Sequence, residues 1–378
     1  MSTSSTPSRL RVRLSEAFVG GFNIRSVLLR GRAFFALIAI VIIFSILSPN
    51  FFSVGNLLQM SQHVSVYAIL AIGMLVVILN GGIDLSIGST VGLSGVVAGF
   101  LMQGVKLPGL GAAFYPAVWV VVILTLATGA FVGLVNGVLI SRFRVAPFVA
   151  TLGMLYVVRG TALLISGGLT YSNLDGSPEL GNTGFDFLGF NSILGIPIGL
   201  LVMIVLAIVA SILLNKSPFG RWLYAAGGNE RAAELSGIPV KKVKVRVYVI
   251  SGICASIAGL IIASELTSGN PTAGASFELT AIAAVVIGGA SLAGGRGGIR
   301  GTLLGAFVIG FLSDGLVIVG VSEYWQMIFK GAVIVLAVLL NALEYKPKRK
   351  AALDQPPTTA SHRDPDNSVG VLAAKTAG

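Results

Sequence analysis

Few residues of this 378-residue chain have the types and spacing needed for acid–base, metal or nucleotide chemistry. Its two histidines, His63 and His362, and its single cysteine, Cys254, are far apart, and no histidine–cysteine–carboxylate cluster has the spacing of a catalytic metal site. The glycine-rich run GGASLAGGRGGIRG at 288–301 lacks the Lys-Ser/Thr ending of a phosphate-binding loop. The sequence therefore predicts no catalytic residue, no metal site and no cofactor bound by this chain.

Six ionisable side chains lie inside or beside long apolar runs. They are Asp84, Arg159, Glu265, Glu278, Asp314 and Lys330. A charge at the centre of a bilayer costs roughly 3 kcal/mol on insertion scales, so such side chains should face the protein interior or lie near a helix end. Most of them are close to the end of an apolar run, which favours a packing or interfacial role over a proton relay. Arg159 and Lys330 lie deepest, and either could pair with one of the acids.

The stretch LNGGIDLSIGS at 79–89 interrupts two apolar runs with paired glycines and polar residues. Irregular backbone at membrane depth is tolerated only where protein or water satisfies it, and such breaks often line a solute path. The candidate path residues are Asn80, Asp84, Ser86, Ser89 and Thr90. A plain tight turn at the cytoplasmic surface is the alternative, and the sequence leaves both open.

The segment NERAAELSGIP at 229–239 has the start and stop signals of a short helix. Asn229 can cap its first turn, Glu230 suits the positive end of the helix dipole, and Gly237 with Pro239 ends it. About two turns of helix are unstable alone in water, so this one must pack against something. Ala232, Ala233 and Leu235 would offer a small smooth face, with Arg231 beside it. The helix could lie on its own bundle or dock a cytoplasmic partner.

These residues must be positioned by membrane helices, because the mean hydropathy is +0.90 and only 11% of residues are charged. About 20 mostly apolar residues span a bilayer. We predict ten spans, at 33–48, 64–80, 87–104, 116–140, 146–166, 193–214, 247–266, 277–292, 301–319 and 324–342. The sequence thus predicts an all-α integral membrane protein.

The distribution of basic residues predicts the orientation of the spans. With a cytoplasmic N-terminus, 23 of the 26 lysines and arginines lie inside and only Lys106 lies outside, as the positive-inside rule expects. This bias explains the net charge of +11 without a nucleic-acid partner. We therefore expect both termini to be cytoplasmic.

The same pattern divides the chain into three parts. Residues 1–32 form a basic cytoplasmic segment, residues 33–342 form the transmembrane domain with a cytoplasmic loop at 215–246, and residues 343–378 form a cytoplasmic tail. The tail contains Pro, Thr and Asp without an apolar period, a composition that favours disorder.

Four stretches together resemble the permease subunit of a bacterial ABC sugar importer of the ribose/galactose/xylose type. They are NGGIDLSIGS at 80–89, VNGVLISRFRVAPFVATLGM at 135–154, PFGRWLYAAGGNERAAELSGI at 218–238 and AAVVIGGASLAGGRGGIRGTLLGAF at 283–307. The resemblance implies a multi-pass protein of the inner membrane that works with a second permease copy or paralogue, an ABC ATPase subunit that uses the ATP, and a periplasmic sugar-binding protein.

ABC importers of several families dock their ATPase through a short cytoplasmic helix with an E-A-A-x-x-x-G pattern. Ala232, Ala233 and Gly237 match this pattern, whereas Arg231 stands at the Glu position and Glu230 precedes it. The resemblance therefore implies that 229–237 is the ATPase-docking helix, and that the chain moves a monosaccharide or similar small polar solute by alternating access. A secondary carrier driven by an ion gradient is the alternative function, which would need no docking helix.

Overall fold

The computed structural model describes residues 31–106 and 113–344. The predicted basic segment 1–32, apart from its last two residues, and the predicted tail, apart from 343–344, lie outside these ranges. The described part contains thirteen α-helices. They are α1 (Arg32–Leu47), α2 (Val54–Leu79), α3 (Ile87–Met102), α4 (Val118–Arg142), α5 (Pro147–Ser166), α6 (Phe187–Phe190), α7 (Ile198–Lys216), α8 (Pro218–Gly228), α9 (Glu230–Leu235), α10 (Val240–Glu265), α11 (Phe277–Ile287), α12 (Ile299–Ile318) and α13 (Glu323–Glu344).

Short two-residue strands pair in the loops. They are β1 (Val105–Lys106) with β2 (Ala113–Phe114), β3 (Tyr171–Ser172) with β6 (Ser268–Gly269), and β4 (Ser192–Ile193) with β5 (Ile196–Pro197), all antiparallel. The β3–β6 pair joins two loops that are almost a hundred residues apart in the chain. These elements confirm an all-α protein, in which the short strands pair segments of the loops.

Every predicted span coincides with a helix, but several boundaries differ. Helix α2 begins at Val54 rather than 64, because Ser53 caps it and its polar first turns remain helical. Helix α10 begins at Val240 rather than 247, ahead of four basic residues. Helix α11 ends at Ile287 rather than 292, where two glycines follow and Gly289 takes a positive φ of 89°.

Within the described ranges, six helices are long and apolar enough to cross a membrane: α2, α4, α5, α7, α10 and α12. The shorter helices α1, α3 and α11 are apolar over 10–17 residues. Hydropathy and length therefore support a multi-pass protein, while the total of ten crossings and the position of the termini remain predictions.

Helices α2 and α10 form the centre of the bundle, and protein surrounds most of their length. The apolar residues of α2 join those of α10, α11 and α12 in one core cluster. In contrast, α4, α5 and α7 expose large apolar side chains such as Phe131, Tyr156 and Ile208. A protein that spans a membrane buries these outer faces in lipid, since contiguous apolar surface is otherwise costly.

Helices α4 and α10 approach so closely that only glycine fits between them. A methyl group at Gly133 would lie 2.2 Å from the Tyr248 carbonyl oxygen, and one at Gly129 would lie 1.9 Å from Ser256 Oγ. From the other side, a methyl group at Gly252 would lie 2.0 Å from the Gly129 carbonyl oxygen. Small residues at helix interfaces allow this backbone approach in membranes. We call these glycines of α4 and α10 the glycine seam.

Candidate functional site

The interrupted stretch 80–86 passes through the protein interior beside α10. Asp84 bonds to Ser251 and Ser94 bonds to Ser256, so α3 begins alongside the middle of α10. Gly81 has a positive φ of 79°, and a methyl group at Gly82 would lie 2.5 Å from the Tyr248 hydroxyl. Gly81 is therefore required for its backbone conformation, and Gly82 is required because there is no space for a side chain. Asp84 to Ser86 are buried, whereas Gly81 is exposed, and the choice between a solute path and a surface turn remains a prediction.

Asp84 is the centre of a buried hydrogen-bond network. Its Oδ1 accepts from the Ser86 amide at 3.0 Å and the Ser86 hydroxyl at 2.7 Å, and its Oδ2 accepts from the Ser251 hydroxyl at 2.8 Å. Asn136 of α4 donates from Nδ2 to Ser86 Oγ at 2.8 Å. Helices α4 and α10 are thus both held to the break in the chain by polar side chains.

The other predicted path residues complete the same segment. The hydroxyls of Ser89 and Thr90 donate to the Ser86 carbonyl oxygen at 2.9 and 2.8 Å and close the first turn of α3. Asn80 follows the end of α2, and its buried Oδ1 has no hydrogen-bond partner in the described part of the chain. Hydrogen bonds join four of the five predicted residues, Asp84, Ser86, Ser89 and Thr90, while the contact of any of them with a solute remains a prediction.

We predict that Asp84→Ala lowers the free energy of unfolding by about 3 kcal/mol, because it leaves three buried donors without their acceptor. Thermal unfolding of the purified protein in detergent measures this loss. Asp175→Ala is the matched control, since Asp175 is exposed in a loop and should unfold as the wild type does. An Asp84→Ala protein with the unfolding midpoint of the wild type would contradict the network's role.

Arg159, the deepest predicted cation, binds backbone carbonyls. Its guanidinium donates to the carbonyl oxygens of Pro271 and Ala273, the latter at 3.0 Å, and to that of Gly88 at 3.5 Å. The loop before α11 is thereby fixed against the start of α3. The sequence left open a pair between Arg159 and one of the acids. Its hydrogen bonds in the described part of the chain go to three carbonyls, and Glu278 is an acid that attracts it electrostatically.

The predicted docking helix is α9, and its capping agrees with the sequence signals. Asn229 Oδ1 accepts from the Ala232 amide at 3.0 Å, and Gly237 takes a positive φ of 81° after the helix ends. The predicted loop 215–246 contains the end of α7, all of α8 and α9, and the first turns of α10. Most of this predicted loop is therefore helical.

The two faces of α9 have different environments. Ala233 is 4% exposed and packs against Ala226 and Val240, whereas Leu235 is 75% exposed. The smooth face predicted from Ala232, Ala233 and Leu235 is therefore wrong, because Ala233 points into the bundle and the other two point outward. The helix both lies on its own bundle and presents an apolar side chain outward.

One ion pair joins α9 to α10, and a second lies within α9. Glu230 pairs with Lys244 of α10 at 2.7 Å, and Arg231 pairs with Glu234 at 3.3 Å. A groove of about 410 Å³ opens between α9, the start of α10 and the turn from α4 to α5. Arg144 and Lys241 also line it. The groove is a polar surface directly beside the exposed face of α9.

A backbone joint connects α8 and the glycine-rich loop to the break after α2. The Gly295 amide donates to the Leu79 carbonyl oxygen at 2.9 Å, and a methyl group at Gly227 would lie 1.7 Å from that same oxygen. The Tyr224 hydroxyl donates to the Gly297 carbonyl oxygen at 2.9 Å, and burial raises the pKa of this phenol, which keeps it a donor. Helix α8, the glycine-rich loop and the end of α2 therefore touch at one point, which we call the glycine joint.

Sequence reasoning missed Asn136, Ser251 and Gly227. Each lies in an ordinary helical stretch, and its partner is distant in the chain: Ser251 is 167 residues from Asp84. A polar residue within an apolar helix is the only signal available for Asn136 and Ser251, and it names no partner.

Known proteins similar to this chain are transport permeases. The profile of the family described as "Branched-chain amino acid transport system / permease component" matches residues 56–338. The ribose import permease protein RbsC of Escherichia coli (strain K12) is 45% identical over 321 residues, which cover 83% of this chain and 94% of that protein.

Two further relatives extend this similarity. RbsC of Bacillus subtilis (strain 168) is 45% identical over 82% of this chain and 91% of its own length. The D-allose transport system permease protein AlsC of Escherichia coli (strain K12) is 36% identical over 82% of this chain and 90% of its own length. No solved structure matches. The chain therefore belongs to the family of branched-chain amino acid transport system permease components.

Proposed function

We propose that this chain is the membrane-spanning permease subunit of an ATP-driven importer in the bacterial inner membrane, and that it carries a monosaccharide such as D-ribose. The observation that carries the proposal is 45% identity with ribose import permeases over more than four fifths of the chain. The family description mentions branched-chain amino acids, but the ribose and allose permeases among the relatives favour a sugar.

The geometry supports a subunit that is driven from its cytoplasmic side. Helix α9 is short and capped, and it exposes Leu235 next to a polar groove. In the proposed complex an ABC ATPase subunit binds here and uses the ATP. A second permease copy or paralogue completes the solute path, and a periplasmic binding protein delivers the solute.

The proposed motion passes from α9 to the solute path through backbone contacts. When ATP binding closes the ATPase pair, α9 and α8 move together because Ala233 packs on Ala226. The glycine joint passes this displacement to Leu79 and the start of the interrupted stretch. The Asp84 network then moves with α4 and α10, and rocking of these helices opens the path alternately to each side.

Reconstitution in liposomes tests this function. We expect uptake of tritiated D-ribose only when the permease, its ATPase, its binding protein and ATP are all present, and we expect ionophores to leave uptake unchanged. Uptake by the permease alone under a proton or sodium gradient would instead establish a secondary carrier. Uptake of L-leucine in place of D-ribose, D-allose, D-galactose and D-xylose would overturn the sugar assignment.

A further inference from the structure

A second cluster of ionisable side chains lies at the end of the bundle opposite the docking helix. Glu265 is the last residue of α10, whose first turns carry the Lys244 that pairs with Glu230. Asp314 lies in the last turns of α12, whose start follows the glycine-rich loop of the glycine joint. His63 of α2 lies between them. If α9 faces the cytoplasm, these three residues lie toward the external side. We call them the acid–histidine cluster.

The contacts in the acid–histidine cluster are loose. His63 Nε2 lies 3.5 Å from Glu265 Oε1, and His63 Nδ1 lies 3.5 Å from Asp314 Oδ1. Well-formed hydrogen bonds between such groups are shorter, about 2.7–3.2 Å. Both imidazole nitrogens face a carboxylate, while each carboxylate retains most of its capacity to accept further hydrogen bonds.

One acceptor of the cluster is buried without a partner. Asp314 Oδ2 has no hydrogen bond within the described ranges, although solvent barely reaches it. One residue before His63, the Oε1 of buried Gln62 is also unpartnered, while its Nε2 donates to the Gly189 carbonyl oxygen beside the Glu265 backbone. Buried polar atoms in native proteins nearly always have partners, so these two acceptors require an explanation.

The cluster is also open to its surroundings. The side chain of His63 is 40% exposed, that of Glu265 is 25% exposed and that of Asp314 is 17% exposed. Because two carboxylates would be costly against lipid, this opening must face water or the partner permease. One helical turn along α2, Tyr67 contacts Phe277 edge to face at 5.2 Å, which adds an aromatic surface on the same side.

We propose that the acid–histidine cluster is a subsite for a neutral, hydroxyl-rich solute on the outward-facing side of the path, which rests on the function proposed above. Asp314 and Glu265 accept hydrogen bonds from the hydroxyls of a monosaccharide, and His63 bridges the two carboxylates. Tyr67 provides an aromatic face for the C–H side of the sugar ring. The two carboxylates repel anionic solutes, so the subsite also selects for neutral ones.

The test uses the complete importer in liposomes with loaded binding protein at saturation, and it measures uptake of tritiated D-ribose and ATP hydrolysis in parallel. We expect Asp314→Asn and Glu265→Gln each to lower the ribose moved per ATP by about tenfold, the size of a lost charge-assisted hydrogen bond. ATP hydrolysis stimulated by the binding protein should persist. Glu179→Gln is the matched control, because Glu179 is an exposed external-loop acid in the predicted topology.

A panel of deoxyriboses provides the second measurement. Removing one particular hydroxyl of the sugar should lower uptake, and so should Asp314→Asn. For that hydroxyl the two reductions in uptake should not add, because both changes remove the same contact. Additive losses for every deoxyribose, or equal falls in uptake and ATP hydrolysis in both variants, would overturn the subsite and leave a purely structural cluster. If the importer with Asp314→Asn fails to assemble, the importer with Glu265→Gln tests the subsite by the same criteria. Absence of wild-type uptake for every sugar would instead refute the proposed function.

Discussion

Replacing Gly133 with leucine is expected to leave almost no folded permease in the membrane. Even a methyl group at this position would lie 2.2 Å from the Tyr248 carbonyl oxygen of α10, which is fixed backbone and cannot rotate away. Helices α4 and α10 would have to separate along the glycine seam, and this separation would pull Asn136 away from Ser86 and break the Asp84 network. Fluorescence-detected size exclusion of a tagged protein measures the folded fraction.

The size of the Gly133 effect should follow the size of the new side chain. Gly133→Ala should lower the free energy of unfolding by about 1–3 kcal/mol, the usual range for overpacking. Gly153→Leu is the matched control, because Gly153 lies on α5 with nothing within 4 Å of an added methyl group. If Gly133→Leu gave the same folded yield as Gly153→Leu, the close contact of α4 with α10 would be refuted.

Ala233→Pro is expected to abolish uptake while the permease remains folded in the membrane. The Ala233 amide donates to the Asn229 carbonyl oxygen at 3.0 Å, and proline removes this bond and clashes with the preceding turn, at a cost of about 3 kcal/mol. A helix of six residues cannot absorb that cost, so α9 should unfold locally. The bundle core does not depend on α9, so the thermal midpoint should change little.

The measurement for Ala233→Pro is uptake together with ATP hydrolysis in the reconstituted importer. We expect uptake to fall at least about tenfold, while the ATPase keeps its basal hydrolysis without coupling. Ala233→Ser is the control, since serine keeps the backbone donor and nearly the same volume at this buried position. Normal uptake by Ala233→Pro would show that α9 does not transmit the ATPase motion.

Local chemistry made part of this structure predictable. The cap at Asn229 and the stop at Gly237 could be predicted, because each depends on residues within one helical turn of the end of α9. The apolar runs located every membrane-length helix because burial in lipid requires long apolar segments. Boundaries were less predictable where a helix continues into protein or water, as α10 does from Val240 onward.

Long-range contacts account for what the sequence could not predict. The polarity of Asp84 indicated a special position, but nothing local identifies Ser251 and Asn136 as its companions. Likewise, a short amphipathic pattern cannot tell which alanine of α9 points inward, because that depends on Ala226 and Val240. His63, Glu265 and Asp314 lie in separate helices, and only the packing of α2, α10 and α12 brings them together.

The glycine joint has a consequence for how this protein can diversify. Its contacts at Leu79, Gly227 and Gly295 are made by main-chain atoms, and the Tyr224 hydroxyl adds one side-chain hydrogen bond to the Gly297 carbonyl oxygen. In the proposed mechanism, the displacement of α8 and α9 therefore reaches Leu79 through main-chain contacts, whatever residues line the solute path. Substitutions elsewhere can then change the preferred solute while the coupling to the ATPase stays the same. Permeases with this joint can therefore differ in the solute that they carry.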